Sequence, residues 1–317
     1  MSRRRLLTLS GTGTVLAAAT ACAQTAQRSA AELPNAPSSP APVTARVGRR
    51  MRLHMFQTGW VAVKAEHRAF SGLSGMRFPA IMASRNWTEW LPVTAYVIEH
   101  PDGLFLVDTG ETARMLEPEY SACDPMTGLF YRRNLRFSLS PTDELGPQMR
   151  RFGLDPDRVQ KVIMTHLHSD HMGGMRHFPR AEFLVSKHAR SGHTGALICR
   201  IPTGLNLLGI SVRSGQAGVF KDSYAVTADG SIAILPTSGH AKGHQSVLLR
   251  DEGTSVCIVG DAAFNLNQIM FGEIGGIVES VPDARASSEL LKLQHQTFGT
   301  EMLPTHDPDN RERLQQL

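Results

Sequence analysis

Long hydrophobic runs, cysteine and surplus charge are all scarce in this 317-residue chain. The apolar stretch near the N-terminus, Thr8 to Thr20, is short and broken by Gly11 and Gly13, which excludes a membrane-spanning helix there. Four cysteines are too few for a disulfide-stapled scaffold. Beyond the N-terminal segment only Cys123, Cys199 and Cys257 remain, an odd set with room for one pair and no full framework. Cys257, within Ser255-Val256-Cys257-Ile258-Val259, reads as a buried strand residue, and none of the three adjoins a metal-type motif. The formal net charge is +4, and residues 1–23 hold three arginines and no acid, so the remainder is nearly neutral. The chain therefore gives no electrostatic argument for a nucleic-acid partner. No internal repeat is detectable. At 41% hydrophobic and 20% charged, the composition is that of an ordinary soluble globular protein.

Residues 1–23 read as an address, outside the fold. Ser2-Arg3-Arg4-Arg5-Leu6-Leu7 resembles a twin-arginine export signal. Two readings of its end stand side by side. Ala21-Cys22-Ala23 fits a small-x-small cleavage rule and would release a soluble, periplasmic protein beginning near Gln24. Thr20-Ala21-Cys22 alternatively reads as a weak lipobox, and a membrane association is expected only if Cys22 is lipidated. Residues 24–45, rich in Ala, Pro and Ser, read as a flexible linker. Residues 46–317 are expected to form a single domain with a substantial core. Twin-arginine export carries proteins already folded.

Against this plain background one run stands out: Thr165-His166-Leu167-His168-Ser169-Asp170-His171. Three imidazoles and a carboxylate within six residues give the ligand density needed for two adjacent metal ions. Imidazole nitrogen and carboxylate oxygen suit zinc or a similar borderline metal. The preceding Val159 to Thr165 reads as a buried strand, and Met172-Gly173-Gly174-Met175 is placed to open a helix. If His166 and His168 continue the strand's alternation, their side chains leave on one side, with Asp170 and His171 coming from the turn.

Further strands are expected at Leu53–Phe56, Val93–Ile98, Leu104–Val107, Ala181–Val185, Ser231–Leu235, Ser246–Leu249 and Ser255–Val259. Pro101-Asp102-Gly103 reads as the turn of a hairpin. Helices are expected over Glu144–Phe152 and Ala284–Gln296. Phe70–Pro92 and Ala196–Val219 read as apolar loops, which could line a substrate pocket, form a dimer face or pack on the core.

The H-x-H-x-D-H run resembles the signature of the metallo-β-lactamase superfamily, and further matches follow in order. Leu104-Phe105-Leu106-Val107-Asp108-Thr109-Gly110 resembles its early strand and Asp-x-Gly turn. Thr237-Ser238-Gly239-His240-Ala241-Lys242-Gly243-His244 resembles its T-P-G-H-T-x-G-H segment, with Ser238 where proline is common. Ile258-Val259-Gly260-Asp261 and Leu303-Pro304-Thr305-His306-Asp307 resemble the segments that bring the bridging aspartate and the final histidine. The resemblance covers roughly residues 51–310 and implies an α/β fold, a four-layer αββα sandwich. It implies two divalent metal ions, zinc being the expectation: His166, His168 and His240 on one, Asp170, His171 and His306 on the other, and Asp261 bridging. The ions would share a hydroxide that attacks an acyl carbon, and Asp170 is the expected catalytic proton carrier to the leaving oxygen. Asp108 is expected to orient a ligand, and His244 to be structural or to support the ligands. His54, His67, His100, His177, His188, His193 and His295 read as surface or packing residues.

Within the superfamily the chain is most similar to N-acyl-homoserine lactonases and related quorum-quenching members. Leu53-His54-Met55-Phe56-Gln57-Thr58-Gly59 resembles their opening strand, and the apolar loop Phe70–Pro92 would suit a fatty acyl chain. One position departs. Many such lactonases carry tyrosine three residues after the bridging aspartate, where this chain has Phe264. The expected reaction is opening of a lactone or related small-molecule ester. The alternatives are a β-lactamase, a thioesterase and, outside enzymes, a metal-binding protein without turnover. No motif points to lactams, no basic patch suits glutathione, and all seven ligand positions are filled. Nucleic-acid-processing members need a large insertion that the short stretch after Asp261 cannot hold. A homodimer through the apolar loops is a further expectation.

Overall fold

The computed structural model describes residues 33–120, 123–189, 195–213 and 215–317. The chain divides into two units, Met1–Pro34 and Asn35–Leu317, and the second carries all that follows. The expected targeting segment and His193 lie outside the described residues.

Among the described residues eight strands form one sheet and five form another. The first contains β1 (Val43–Val47), β2 (Met51–Val63), β3 (Leu91–His100), β4 (Gly103–Val107), β5 (Leu135–Ser138), β6 (Val159–Ile163), β7 (Glu182–Ser186) and β8 (Asn206–Ile210). Its order is β1-β2-β3-β4-β6-β7-β8, with β5 pairing β2. The strands from β1 to β4 are antiparallel, and those from β4 through β6 and β7 to β8 are parallel. The second contains β9 (Tyr224–Ala225), β10 (Ile232–Pro236), β11 (Gln245–Asp251), β12 (Thr254–Gly260) and β13 (Glu301–Pro304), in the order β13-β12-β11-β10-β9. In β1 Val43, Ala45 and Val47 point inward while Thr44 and Arg46 stay wet, as an edge strand with one solvated face requires.

The helices are α1 (Ala65–Arg68), α2 (Arg77–Ala83), α3 (Pro125–Asn134), α4 (Leu145–Phe152), α5 (Ser169–Met172), α6 (Leu266–Phe271), α7 (Val281–Phe298) and α8 (Asn310–Gln315). Leu53, Tyr96, Val107 and Ile163 of the first sheet share one apolar cluster with Ile234, Val247, Ile258 and Leu303 of the second, so the sheets pack face to face. On the first sheet's outer face Phe56, Val97 and Leu106 lie under Leu145 and Met149 of α4. On the second's, Leu235, Leu248 and Val259 lie under Ile269 of α6 and Leu291 of α7. Helix, sheet, sheet, helix is therefore the order of layers. Each fully buried Leu, Ile or Phe contributes roughly 1.5–3 kcal/mol, which makes the inter-sheet cluster the main source of stability. Helix α7 starts where the Ser280 side chain accepts from the Asp283 N–H, with Pro282 in the first turn, and ends at left-handed Gly299.

Four expectations shift. Strand β1 begins inside the stretch read as linker, because Val43 and Ala45 find an inner face against β2 that composition does not reveal. Phe70–Pro92 contains α2, too short for periodicity to show, anchored by buried Ile81. Ala196–Val219 contains β8, an edge strand paired only to β7. The helix at the metal run precedes the glycines: α5 is one turn and stops at Gly173. Among the described residues Cys123 and Cys199 form a disulfide, and Cys257 is free and buried.

Candidate metal centre

All seven residues singled out by motif come together at one end of the two-sheet seam. His166, His168, Asp170 and His171 follow β6 of the first sheet. His240, Asp261 and His306 follow β10, β12 and β13 of the second. Their donor atoms fall into overlapping groups: His166, His168 and His240; His166, His171 and Asp261; Asp170, His171 and His306.

The outward-facing ring nitrogens fix the tautomers. His240 Nδ1 lies 2.9 Å from the Ile277 carbonyl oxygen and His306 Nδ1 2.9 Å from that of Pro92; a carbonyl only accepts, so both Nδ1 atoms carry the proton. His171 Nδ1 donates to Asp108 Oδ2 at 2.7 Å. Thr165 Oγ1 gives its proton to the same carboxylate at 2.7 Å, so His166 Nδ1, 3.1 Å from Thr165 Oγ1, is the donor in that contact. Nε2 of His166, His171, His240 and His306 thus faces the centre. His168 presents Nδ1 instead, 2.8 Å from His166 Nε2 and 3.0 Å from His240 Nε2. Three ring nitrogens this close need a shared proton or a cation between them.

The carboxylates complete the set. Asp261 Oδ1 is 3.2 Å from His171 Nε2, while its Oδ2 is 3.3 Å from His306 Nε2 and 3.7 Å from His240 Nε2, so this one side chain spans both groups. Asp170 Oδ2 is 3.3 Å from His306 Nε2. His171 Nε2 and Asp261 Oδ1 are buried and neither forms a hydrogen bond, although they are neighbours; both point at a common space. Buried orphan atoms of this kind are costly in a folded chain. The donor set and its convergence fit a pair of divalent ions with nitrogen and oxygen ligands.

Charge reinforces the picture. Burial lowers the His171 and His306 pKa values, but Asp261 leads the neighbouring carboxylates in outweighing it, leaving His171 well above its ordinary value and His306 at about 10. Burial raises Asp261, and His306 and His171 override it and hold the carboxylate well below its usual range. His166, enclosed and facing His171, is pushed well down. The site attracts positive charge where the carboxylates are and resists it at His166.

The supporting residues act one layer out. Asp108, in a left-handed backbone conformation (φ 57°) just past β4, accepts from the Thr165 N–H at 2.7 Å as well as from Thr165 Oγ1 and His171. It therefore orients two ring systems, as expected for it. His244 is fully committed: Nε2 accepts from the Asp261 N–H at 3.0 Å and Nδ1 donates to the Thr237 carbonyl at 3.1 Å. It positions Asp261 and is not available as a ligand. Gly260 (φ 67°) lets the chain turn there, where a Cβ would meet His244 Nε2 at 2.7 Å. His54, His100, His177 and His295 bond Glu99, Ser231, Glu144 and the Thr300 carbonyl respectively, in keeping with packing roles, and His188 is exposed.

His168, Asp170, His240, Asp261 and His306 form the floor of a pocket walled by Val61, Val63, Phe78, Met126, Phe130 and Leu135. Phe264 also lines it, stacked on His306 with centroids 5.1 Å apart. The apolar loop reading is divided: Phe78 lines the pocket, Ile81 packs into the interior, and Lys64 sits over the Trp87 ring. His67, expected to be a packing or surface residue, lines this pocket beside Phe264. Nothing in Lys64-Ala65-Glu66-His67-Arg68 has ligand spacing, so no sequence signal singles it out.

The model of the metallo-beta-lactamase superfamily matches residues 88–308. The N-acyl homoserine lactonase AttM of Azorhizobium caulinodans is 26% identical over 265 residues, covering 82% of this chain and 94% of that protein. The N-acyl homoserine lactonase AiiA of Bacillus thuringiensis subsp. kurstaki is 29% identical over 182 residues, 55% of this chain and 65% of that one. An N-acyl homoserine lactone hydrolase solved with the product N-hexanoyl-L-homoserine at its catalytic metal center superposes with a TM-score of 0.67 at 20% identity, covering 84% of this chain and 96% of that chain. AidC, a dizinc quorum-quenching lactonase, gives a TM-score of 0.59 at 13% identity, covering 84% and 91%. At these identities the structural likeness is one of fold.

Proposed function

This chain belongs to the metallo-beta-lactamase superfamily, and on that premise we propose that it is a dizinc lactonase that opens N-acyl homoserine lactones. The observation that carries the reading is the set of fixed imidazole tautomers converging with two carboxylates on the floor of an apolar pocket. The AttM and AiiA lactonases, and the dizinc AidC, support it by similarity.

In this reading His166, His168 and His240 would hold one ion and Asp170, His171 and His306 the other, with Asp261 placed to serve both. Two such cations supply a nucleophilic hydroxide at neutral pH and polarise an ester carbonyl. The protein does the rest. The pocket wall takes the acyl chain, at about 0.8 kcal/mol per buried CH₂. Water oxygen adds to the lactone carbonyl carbon and the ring C–O bond breaks, leaving an alkoxide that needs one proton. Asp170 lines the pocket floor, takes up the proton that the attacking water releases and is placed to hand it to that alkoxide. Phe264 stacks on His306 and shields that ring from water without offering a hydrogen bond.

The test is proton release by metal-loaded residues 24–317 on a panel of N-acyl homoserine lactones and simple lactones, with the His166→Ala/His168→Ala double variant as blank. Ring opening that disappears in the blank supports the proposal. Two bound metals with no lactone opened sink it.

The proposal extends to place and assembly. Export through the Arg3-Arg4-Arg5 signal is supported by the Cys123–Cys199 disulfide, which suits an oxidising compartment. Mass spectrometry of the mature N-terminus separates cleavage near Gln24 from lipidation at Cys22, which would anchor it to a membrane. Phe78 and Met126 are exposed at the pocket rim, with Leu73, Met76 and Leu129 exposed on the neighbouring segments. We assign this face to a homodimer, and a monomer by sedimentation at micromolar concentration would exclude it.

A further inference from the structure

The pocket contains little polarity outside the metal cluster. Three other polar side chains line it: His67, Thr127 and Tyr131. Thr127 Oγ1 is spent on Asp124 Oδ2 at 2.7 Å, and the Tyr131 hydroxyl donates to the Gly195 carbonyl at 2.9 Å. His67 differs. Its residue is 8% exposed, and Nδ1 is enclosed with no hydrogen-bond partner. A buried ring nitrogen left without a partner is a standing cost.

Its position in the pocket says what that could be. On one side the ring meets Phe264, edge-on at 6.0 Å, and Phe264 stacks on His306 of the metal cluster. On the other it lies 6.1 Å from Phe130, which stacks on Phe78 of the apolar wall at 5.8 Å. His67 therefore stands at the junction between metal floor and apolar wall. An N-acyl homoserine lactone has the same order of chemistry: a reacting ring, then an amide, then an apolar chain.

The ring is also held firmly. The His67 carbonyl accepts from the Gly276 N–H at 2.8 Å, and the Arg68 carbonyl from Gln268 Nε2 at 2.8 Å. Gln268 Oε1 in turn accepts from the Phe264 N–H at 2.7 Å, so α1 and Phe264 hang on one glutamine. The approach at Gly276 is so close that a Cβ would overlap the Glu66 carbonyl oxygen. Burial first, then His168, presses the His67 pKa down to about 3, which leaves a neutral ring with one donor and one acceptor.

Resting on the lactonase reading above, we propose that His67 is a specificity residue that hydrogen-bonds the amide joining the lactone ring to the acyl chain. It sorts amide-bearing lactones from plain alkyl lactones and takes no part in bond breaking.

The experiment compares wild type, His67→Phe and His67→Gln, all metal-loaded. Substrates are N-octanoyl homoserine lactone and an α-alkyl-γ-butyrolactone of the same chain length, which lacks the amide. Calorimetric titration with N-octanoyl homoserine, the opened product, gives a binding readout free of turnover. Loss of one neutral hydrogen bond predicts that His67→Phe raises KM for the amide lactone and the product Kd about tenfold, with kcat and the alkyl lactone changed less than about twofold. His67→Gln should recover most of the loss. An equal loss on both substrates, or none on the amide lactone, overturns the assignment. So does a wild type that opens the alkyl lactone but ignores the amide one, which leaves ring opening itself standing. A wild type that opens neither overturns the lactonase reading, and this inference with it. If His67→Phe does not fold or fails to bind metal, His67→Leu takes its place with the same expected pattern.

Discussion

Asp108→Asn is the most incisive perturbation of the centre because it changes one charge and almost no volume. Asp108 accepts three hydrogen bonds, from the Thr165 N–H, Thr165 Oγ1 and His171 Nδ1, each at 2.7 Å. Its backbone sits at φ 57°, a conformation asparagine tolerates and most residues do not, so the chain path should survive. An asparagine facing these partners can satisfy the Thr165 N–H with its oxygen, and its NH₂ must then face His171. That reverses the polarity of the contact. His171 Nδ1 becomes the acceptor, the ring proton moves to Nε2, and the lone pair aimed at the centre is lost.

Changes in groups that orient a metal ligand typically weaken binding 10–100-fold, or about 1.4–2.8 kcal/mol. The weakening should fall on the ion held by Asp170, His171 and His306. Competition against a chromophoric chelator, with elemental analysis of the dialysed protein, measures it. The expected result is one tight and one weakened ion, with the His166, His168 and His240 group still loaded. Two ions bound with affinities within about twofold of wild type would refute the tautomer argument.

The remaining predictions concern metal removal, the disulfide and the pocket wall. His306 has a folded pKa of about 10 against 6.5 for the ordinary group, so its stabilisation is complete below about pH 6.5 and lost as pH rises through 10. Metal-free protein should lose up to about 1.4 kcal/mol per pH unit from this one group across that window, with His171 acting in the same sense. Metal-loaded protein, with the cation in the proton's place, should stay flat; denaturant titrations from pH 7 to 9.5 decide, and a flat metal-free curve would contradict the charge account. Cys123 and Cys199 are 76 residues apart in sequence, and replacing both by serine should cost about 2–4 kcal/mol in unfolding free energy. That disulfide also tethers the segment leading into α3, which carries Met126 and Phe130 of the pocket wall, so KM for long-chain lactones should rise while short ones are spared. Phe130→Ala, which removes a ring stacked on Phe78 and tilted against His67, should raise KM for an octanoyl substrate more than for a butanoyl one; equal effects would place the chain elsewhere.

The clustering of the candidate ligands was legible in the sequence because ligand chemistry is local. His166, His168, Asp170 and His171 lie within six residues of chain, His240 and Asp261 each follow a segment that reads as a strand, and His306 is marked by motif alone. Asp108 was legible for the same reason. What escaped detection depends on packing between distant segments. Val43 and Ala45 look like linker until β2 offers them a face. Cys123 and Cys199 each sit in unremarkable surroundings, and only the fold selects them over Cys257. His67 lies far from every ligand in the chain, in a one-turn helix without motif, and reaches the pocket through Gly276 and Gln268. Helix α2 is similarly silent, since seven residues give periodicity too little to act on.

The donors come from both sheets, four from the segment after β6 and three from the ends of β10, β12 and β13. A pair of ions held there acts as a rivet across the seam. Without it, the two sheets are held by the apolar cluster between them and by hydrogen bonds across the seam such as Thr94 Oγ1 to the Thr305 carbonyl at 2.7 Å, and the ring nitrogens of His166, His168 and His240 crowd together near the centre. With it, neither sheet can peel away without surrendering ligands from the other. Metal loading thereby converts two layers capable of loosening separately into a single cooperative unit, and the same atoms that prepare the site for chemistry set how the whole chain comes undone.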